Sequence, residues 1–312
     1  MRLKKFVTLC MVGAMVFAFA GCSKKDNNTN SNNANTQETT ETTTEATDAA
    51  TTESSTDAAA TTDGSSLSGT VVITGSTSVE KILNDMIDEF QAMNPDVTIN
   101  YTGTGSSAGI ADTLAGSNDL GASSREVKDE EKSDTMKEVV WAHDGIAVIT
   151  NPANPVADIT LENLAKIYSG EITNWNQVGG NDAPIVIVSR EGASGTRSAF
   201  EELIKLEDNG GLTEDATVVE GNGNVQTTVA GNENAIGYVS FSFIDDTVKG
   251  LTVETVEPTA ENAKAGTYPL SRPFLFVYDE NNYTPQTQAF VEFATSDDGQ
   301  AFVEEHGGIR ID

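Results

Sequence analysis

Residues 185–203 have the sequence IVIVSREGASGTRSAFEEL, in which an apolar run, a glycine-rich turn and a helical pattern follow one another. The apolar run predicts a buried β-strand, and the spacing of Phe200, Leu203 and Ile204 predicts the inner face of a helix. The turn between them combines glycines and hydroxyl groups with Arg190, so it offers many hydrogen-bond donors and few bulky side chains. The segment therefore predicts a strand, a donor-rich turn and a helix, in that order.

The same order occurs at two earlier places in the chain. Residues 71–83 (VVITGSTSVEKIL) and 99–114 (INYTGTGSSAGIADTL) each contain an apolar run, a turn of glycine with serine or threonine, and a helical pattern. In open α/β sheets the loops at the carboxyl ends of the strands line the ligand crevice. The helix that follows presents unpaired backbone N–H groups to that crevice. Three such turns, one of which carries Arg190, predict a site for a small tetrahedral oxyanion.

Each turn taken alone has a simpler explanation. A serine or threonine beside the start of a helix commonly serves as an N-cap, and Arg190 can form an ion pair with the neighbouring Glu191. The turns also lack the G-x-x-x-x-G-K-[S/T] pattern of nucleotide-binding P-loops. A fourth segment, residues 119–127 (DLGASSREV), adds Ser124 and Arg125 after a short apolar step. The oxyanion hypothesis therefore depends on these segments meeting in one place.

The rest of the pattern alternates strands and helices and predicts an α/β fold in which helices cover the sheets. Two proline-containing segments, residues 151–155 (NPANP) and 265–273 (AGTYPLSRP), are candidate crossings between domains. We expect a first lobe from residues 67–150 and 271–312, and a second lobe from residues 151–270.

The first 22 residues, MRLKKFVTLCMVGAMVFAFAGC, have a basic start, an apolar run of signal-peptide length and an ending of small residues. The ending resembles a bacterial lipobox. Residues 1–21 are therefore expected to be a lipoprotein signal peptide, and Cys22 the lipidated residue that anchors the chain to a membrane. Residues 22–66 are rich in threonine and asparagine and contain no aromatic residue. Such a segment cannot bury enough surface to fold, so it is expected to be a disordered tether.

The composition argues against several classes of protein. The formal net charge is −30 at pH 7, and there is no basic stripe that could release the counterions of a nucleic acid, so no nucleic-acid partner is expected. The chain has two histidines and two cysteines, and Cys10 lies in the expected signal peptide. These are too few for a clustered metal site, so neither a metal nor a cofactor is expected.

The turn sequences resemble those of the phosphate-binding lipoproteins of the phosphate-specific ABC importer. The resemblance rests on ITGSTSV, YTGTGSSAGI, DLGASSRE, IYSGEITNW and SREGASGTR, and it runs from Gly69 to the end of the chain. It implies a two-lobed periplasmic-binding-protein fold of the class II type, with two crossovers between the lobes. It also implies hinge closure on one inorganic phosphate, which is delivered to the membrane permease subunits of an ABC importer. Position by position, the implied phosphate contacts are Ser76, Thr77, Ser78, Ser106, Arg190, Ser194, Gly195 and Thr196.

One position departs from the family pattern. Known members carry aspartate where this chain has Ser124. A carboxylate there would accept the proton that phosphate keeps and would repel sulfate, which has none. The candidate for a replacement acceptor is Asp144, at the start of an apolar run. Ser124 and Arg125 complete the expected set, with Arg125 either a second positive contact or the partner of an acid in the crevice.

Two other functions are weighed against phosphate binding. Receptors for sulfate, molybdate or tungstate use the same helix ends, and Ser124 keeps that alternative open. Residues 105–109 (GSSAG) match the G-x-S-x-G nucleophile elbow of hydrolases, with Ser107 as nucleophile and His143 or His306 as base. That pattern is short and arises by chance in loops rich in glycine and serine, so we expect that the protein is not an enzyme.

Overall fold

The computed structural model describes residues 67–311. The predictions for the signal peptide, for Cys22 and for the tether lie outside these residues. The strands, β1 to β11, are Gly69–Gly75, Val97–Gly103, Leu120–Ser123, Met136–Thr150, Asp158–Ile159, Val186–Arg190, Thr217–Val219, Ala235–Ser240, Lys249–Gly250, Thr252–Val253 and Ser271–Asp279. The α-helices, α1 to α8, are Glu80–Met93, Ser106–Ala115, Leu161–Tyr168, Gly195–Leu203, Gly221–Ala230, Ala260–Lys264, Pro285–Thr295 and Asp297–Glu305.

The larger strands form one sheet in the order β2-β1-β3-β11-β4-β8-β6-β7. At one end, β1 pairs in parallel with β2 and with β3. At the other end, β6 pairs in parallel with β7 and with β8. Between these groups, β11 and β4 run antiparallel to their neighbours. Two parallel groups, each followed by helices, are therefore joined through two central strands.

The strand β4 links the two halves of the sheet because it is long enough to belong to both. Residues 136–145 pair with β11, whereas residues 146–150 pair with β8. The apolar run that begins after Asp144 corresponds only to the second of these parts. The register with β11 shifts between Phe274 and Leu275, opposite residues 140–142, within the part of β4 that belongs to the first half.

Among residues 67–311, the two larger apolar cores lie on either side of this passage. The first contains Phe90, Trp141 and Phe276 together with the inner face of α1. The second contains Phe200 and Tyr238 together with the inner face of α3. This is the mixed α/β, two-lobed periplasmic-binding-protein architecture that the sequence predicted. The exact lobe boundaries stay a prediction, which the separation of the two cores supports.

The helices follow the predicted apolar spacing. In α1 the residues Ile82, Met86 and Phe90 are buried, and Asn94 ends the helix just before a proline. The last two helices are separated at Ser296, and the Ser296 hydroxyl caps α8 by accepting a hydrogen bond from the Gly299 amide. Among residues 67–311, no helix combines the length and the apolar character that a membrane span requires.

Candidate functional site

The three donor-rich turns each join a strand to the start of a helix, as the sequence predicted. The first runs from β1 to α1, the second from β2 to α2, and the third from β6 to α4. Since β1 and β2 are parallel neighbours, their turns lie at the same edge of the sheet. The third turn belongs to the other half of the sheet, so any contact between it and the first two spans the cleft between the lobes.

Hydroxyl groups from the first and third turns meet directly across this cleft. The Ser78 and Thr196 hydroxyl oxygens are 2.7 Å apart, and both residues are buried. Beside them, Arg190 Nη2 donates a hydrogen bond to Thr77 Oγ1 over 3.1 Å. The two turns are therefore joined side chain to side chain, with the starts of α1 and α4 facing the same point.

Residues 121–124 (GASS) are called the GASS segment. The second turn and the GASS segment both approach the start of α4 closely, at Gly195. A Cβ atom on Gly195 would lie 2.1 Å from Ser106 Oγ and 2.8 Å from Ser124 Oγ. The two serines also contact each other, since Ser106 Oγ accepts a hydrogen bond from the Ser124 amide over 3.0 Å. Only a residue without a side chain permits this approach of the first lobe to the start of α4.

Arg190 is buried among these residues, and two of its guanidinium nitrogens are already bonded to a carboxylate. Its Nε and Nη2 donate to the Glu191 carboxylate over 2.8 and 2.7 Å. Its Nη1 is buried and has no hydrogen-bond partner. Burial alone would raise the pKa of Glu191, but hydrogen bonds from Arg190 and the arginine charge hold that pKa below its ordinary value. The ion pair weighed against ligand binding is thus present, and it still leaves a donor for an anion.

Two site residues were missed by sequence reasoning. Asn222 Nδ2 donates to Thr77 Oγ1 and to Ser78 Oγ, over 3.2 Å in each case. Arg272 Nη2 donates to the same Ser78 hydroxyl over 3.0 Å. Asn222 lies at the start of α5, which follows β7 through a fourth strand–turn–helix unit. That unit contains two glycines, but its helix has little apolar periodicity and shows the pattern only weakly, and nothing near Arg272 in the sequence indicates a role in the site.

Asp144 lies beside Arg272, where β4 and β11 pair. Its Oδ2 accepts hydrogen bonds from Arg272 Nη2 over 2.8 Å and from Nε over 3.2 Å. Its Oδ1 accepts from the Ser240 hydroxyl and from the Phe241 amide. Burial raises the pKa of the Asp144 carboxyl, while Arg272 and the other two donors oppose this by stabilising its charged form. These four contacts favour a role in positioning Arg272 over the expected role as acceptor of a ligand proton.

The hydroxyl groups of Thr77, Ser78, Ser106, Ser124 and Thr196 form what we call the hydroxyl cluster. Arg125 does not extend into this cluster, although the sequence suggested that it could. Its two terminal nitrogens each donate to Glu131 over 2.7 Å. Its Nη2 also donates to the Ser107 hydroxyl over 2.9 Å. Arg125 is therefore paired with an acid, which was the second of the two roles expected for it. The contacts of Ser107 do not support a hydrolase either, because arginine rather than histidine bonds its hydroxyl and His306 pairs with Asp85.

Ser76 and Ser194 shape the turns from within. Ser76 Oγ accepts a hydrogen bond from the Ser78 amide over 3.1 Å. Ser194 is the N-cap of α4, and its hydroxyl oxygen accepts from the Arg197 amide over 3.1 Å. In the part of the chain that the structure describes, no group of three His, Cys, Asp or Glu side chains could hold a metal ion. The donors of the site are hydroxyl, amide and guanidinium groups, and the carboxylates of Glu191 and Asp144 are paired with its two arginines.

The arrangement is suited to holding a compact anion by charge-assisted hydrogen bonds. Three helix starts direct backbone N–H groups at one place, and two buried guanidinium groups supply positive charge. Such bonds are roughly twice as strong as those between neutral groups. Because the cleft is closed to water around these residues, their attraction for an anion is also weakly screened by salt.

Comparison with known proteins identifies the family to which this fold belongs. A family model for the PBP superfamily domain matches residues 42–298. The phosphate-binding protein PstS of Borreliella burgdorferi is 34% identical over 250 residues, which cover 77% of this chain and 90% of that protein. The PstS protein of Bacillus subtilis is 32% identical over 252 residues, which cover 78% and 81% of the two chains.

A solved structure is similar over the same part of the chain. A protein from Clostridium perfringens, assigned as a phosphate ABC transporter substrate-binding protein and crystallised with bound phosphate, is 46% identical. It aligns with a TM-score of 0.76 over 78% of this chain and 100% of its own length.

Proposed function

This chain belongs to the phosphate-binding PstS proteins of the PBP superfamily, and from that premise we propose that it binds inorganic phosphate in the interlobe cleft for uptake by an ABC importer. The protein captures the anion and releases it unchanged. The resemblance expected from the turn sequences is confirmed by these comparisons, which do not favour a receptor for sulfate, molybdate or tungstate, or a serine hydrolase.

The observation that carries this proposal is the meeting of four separate segments around Gly195. Thr196 from the third turn contacts Ser78 from the first. Gly195 itself allows close approach of Ser106 from the second turn and of Ser124 from the GASS segment. We assign phosphate contacts to these residues together with Thr77 and Arg190. Ser76 and Ser194 hold the turns that present them.

Binding is coupled to closure of the two lobes. The hydroxyl, amide and guanidinium groups come from both sides of the cleft, so an anion between them interacts more strongly with the closed arrangement than with an open one. Such a ligand shifts the population toward closure by its difference in affinity for the two states. The strands β4 and β11, which pass between the lobes, are the places where the chain bends.

The same proposal includes a location and a partner. Cys22 carries a lipid that anchors the protein at the outer face of the cytoplasmic membrane. Residues 22–66 connect this anchor to the part of the chain that binds phosphate. The closed lobes dock on the permease subunits of the importer, to which the phosphate is passed. A chain with Cys22→Ser, followed by membrane fractionation, tests the anchor, because loss of the lipid releases the protein from the membrane.

Isothermal titration calorimetry of the purified protein, freed of bound anions, tests the central function. We expect saturable binding of one phosphate per chain, with sulfate, molybdate and tungstate binding at least tenfold more weakly. Arg190→Gln is the loss-of-function variant for comparison and should bind phosphate more weakly, because it removes a buried donor group from the site. Absence of phosphate binding, or tighter binding of one of the other oxyanions, contradicts the proposal.

A further inference from the structure

A second arginine is buried at the edge of the hydroxyl cluster. Arg272 is the second residue of β11 and lies opposite Asp144 in the pairing of β11 with β4. Only 4% of its surface is exposed. Its ion pair with Asp144 is almost wholly buried, with side-chain exposures of 2% and 1%. A buried charge pair of this kind is costly to desolvate, so its position beside the cleft requires an explanation.

The guanidinium of Arg272 extends from this pair to the site. Its Nη2 bonds both Asp144 and the Ser78 hydroxyl, which in turn contacts Thr196 across the cleft. Arg190 bonds Thr77, the residue next to Ser78. The two arginines therefore reach neighbouring hydroxyl groups of the same turn, one from each side.

Each arginine has a carboxylate partner and, in addition, one donor group that is not used. Arg190 Nη1 and Arg272 Nη1 are both buried and lack a hydrogen-bond partner. A buried donor left unpaired destabilises the protein, because it has lost its hydrogen bonds to water and gained none in return. Two such groups on two cations are satisfied together by an acceptor with several oxygen atoms and more than one negative charge.

The electrostatics of Arg272 agree with this geometry. Burial lowers its pKa, Asp144 opposes that effect, and the nearby charge of Arg190 lowers the pKa further. The carboxylates of Glu191 and Asp144 face the two guanidinium groups and are paired with them. Tyr101 and Tyr238 lie close by and remain neutral, because burial raises their pKa values far above the ordinary one. A dianion there is attracted by both guanidinium groups and relieves their mutual repulsion, while the two carboxylates already paired with them oppose it.

We propose that Arg272, positioned by Asp144, is a second guanidinium ligand of the bound anion and makes the site prefer the doubly charged form of phosphate. This role rests on the proposed function and refines it. It accounts for Ser124 in place of an acceptor carboxylate, since a site built from donors and two arginines gains more from negative charge than from accepting a proton.

Calorimetry with inorganic phosphate at about pH 5.5 and about pH 8.5, on either side of its second ionisation, tests the role of Arg272. Wild type is compared with Arg272→Gln, Arg272→Lys and the double variant Arg272→Gln/Asp144→Asn. The double variant leaves no unpaired carboxylate in the interior, so it remains informative where Arg272→Gln fails to fold. Arg310→Gln is the matched control, because Arg310 pairs with Asp297 away from the cleft.

We expect the double variant to bind phosphate at least about 30-fold more weakly than wild type at the higher pH. The loss should be severalfold smaller at the lower pH, where the ligand is singly charged. Arg272→Lys should recover part of the affinity, since it keeps the charge and loses the planar fork. Arg310→Gln should bind like wild type at both values.

Two results overturn the role of Arg272 while leaving the proposed function intact. One is wild-type affinity in the double variant. The other is an equal loss at both pH values, which would mean that Arg272 only holds Ser78 in place. A wild-type protein that does not bind phosphate at all is a different result, because it overturns the proposed function itself.

Discussion

The Ser78 and Thr196 hydroxyl oxygens lie 2.7 Å apart, although the two residues are separated by 118 positions in the sequence and belong to turns on opposite halves of the sheet. Ser78 precedes α1 and Thr196 lies in the first turn of α4. Their contact shows that two helix starts face each other across the cleft. An anion placed there can be held from both sides by short, stiff side chains.

Replacing Thr196 by valine removes this hydroxyl and keeps the shape of the side chain. A hydrogen bond to a charged group contributes about 1.5–3 kcal/mol, so phosphate affinity should fall by about tenfold to 100-fold. Calorimetry measures the change. Thr217→Val, at an exposed position in β7, is the control and should bind like wild type. Wild-type affinity in Thr196→Val would remove Thr196 from the set of ligand contacts.

Gly195→Ala tests the close approach of the first lobe to α4. The added methyl group would stand 2.1 Å from Ser106 Oγ, so the cleft could not close as it does here. Overpacking of this kind typically costs about 1–3 kcal/mol, and we expect phosphate affinity to fall by about tenfold or more.

The neighbouring Gly192 provides the control for that substitution. A Cβ atom on Gly192 would meet no atom within 4 Å. Gly192→Ala should therefore keep the affinity of wild type, and Gly195→Ala should keep the melting temperature of the unliganded protein, because alanine is favourable in a helix. Equal phosphate affinity in the two variants would contradict the assigned packing.

Lys81 forms a second connection across the cleft. Its Nζ donates to the Ser242 backbone oxygen over 2.8 Å and stands 4.4 Å from the centre of the Phe243 ring. Lys81→Met should destabilise the closed arrangement and weaken phosphate binding by about threefold to tenfold, because fewer molecules are competent to bind. Lys132→Met, at a lysine paired with Asp129, is the control. Small-angle scattering of the unliganded variant should show a larger radius of gyration than wild type. Identical profiles would mean that Lys81 does not hold the two lobes together.

The Arg125–Glu131 pair should make part of the stability sensitive to acid. Burial alone would raise the pKa of Glu131, but hydrogen bonds and charge from Arg125 hold it below the ordinary value of 4.5. A lowered pKa in the folded state means that ionised Glu131 stabilises the fold above about pH 4.5. This contribution is then lost as the pH falls through the lower, folded value.

Glu131→Gln should therefore lower the free energy of unfolding at pH 7, and its difference from wild type should shrink below about pH 4.5. Denaturant unfolding at pH 7 and at a pH below about 4.5 measures the free energy of unfolding of the variant and of wild type. Phosphate affinity should stay within about twofold of wild type, because Glu131 binds Arg125 away from the hydroxyl cluster. A tenfold loss of affinity in Arg125→Gln would return Arg125 to the phosphate contacts.

Sequence patterns predicted most of the site because its main parts are local. A strand, a glycine turn and a helix start are specified by neighbouring residues, so the turns around Ser78, Ser106 and Thr196 could be found without a structure. Gly195 was expected only as a phosphate contact implied by the family resemblance, and its close approach to Ser106 and Ser124 is known only from the fold.

The parts that were missed depend on pairing between distant segments. Arg272 and Asp144 are 128 residues apart and meet only because β11 pairs with β4. The partner of Arg125 could not be chosen from sequence, because several acids follow it. Asn222 was missed for another reason: its helix, GNGNVQTTVA, has two glycines and little apolar periodicity, so tertiary packing rather than helix propensity forms it.

A crystal structure of the protein with phosphate measures the central claim most directly. We expect one phosphate between the starts of α1, α2 and α4. Its oxygen atoms should lie within hydrogen-bond distance of Ser106, Thr196 and Arg190. Arg272 Nη1 should also lie within about 3 Å of a phosphate oxygen, at an ordinary hydrogen-bond length. Phosphate bound instead on the outer surface beside Arg125, with the hydroxyl cluster contacting only itself, would contradict the account.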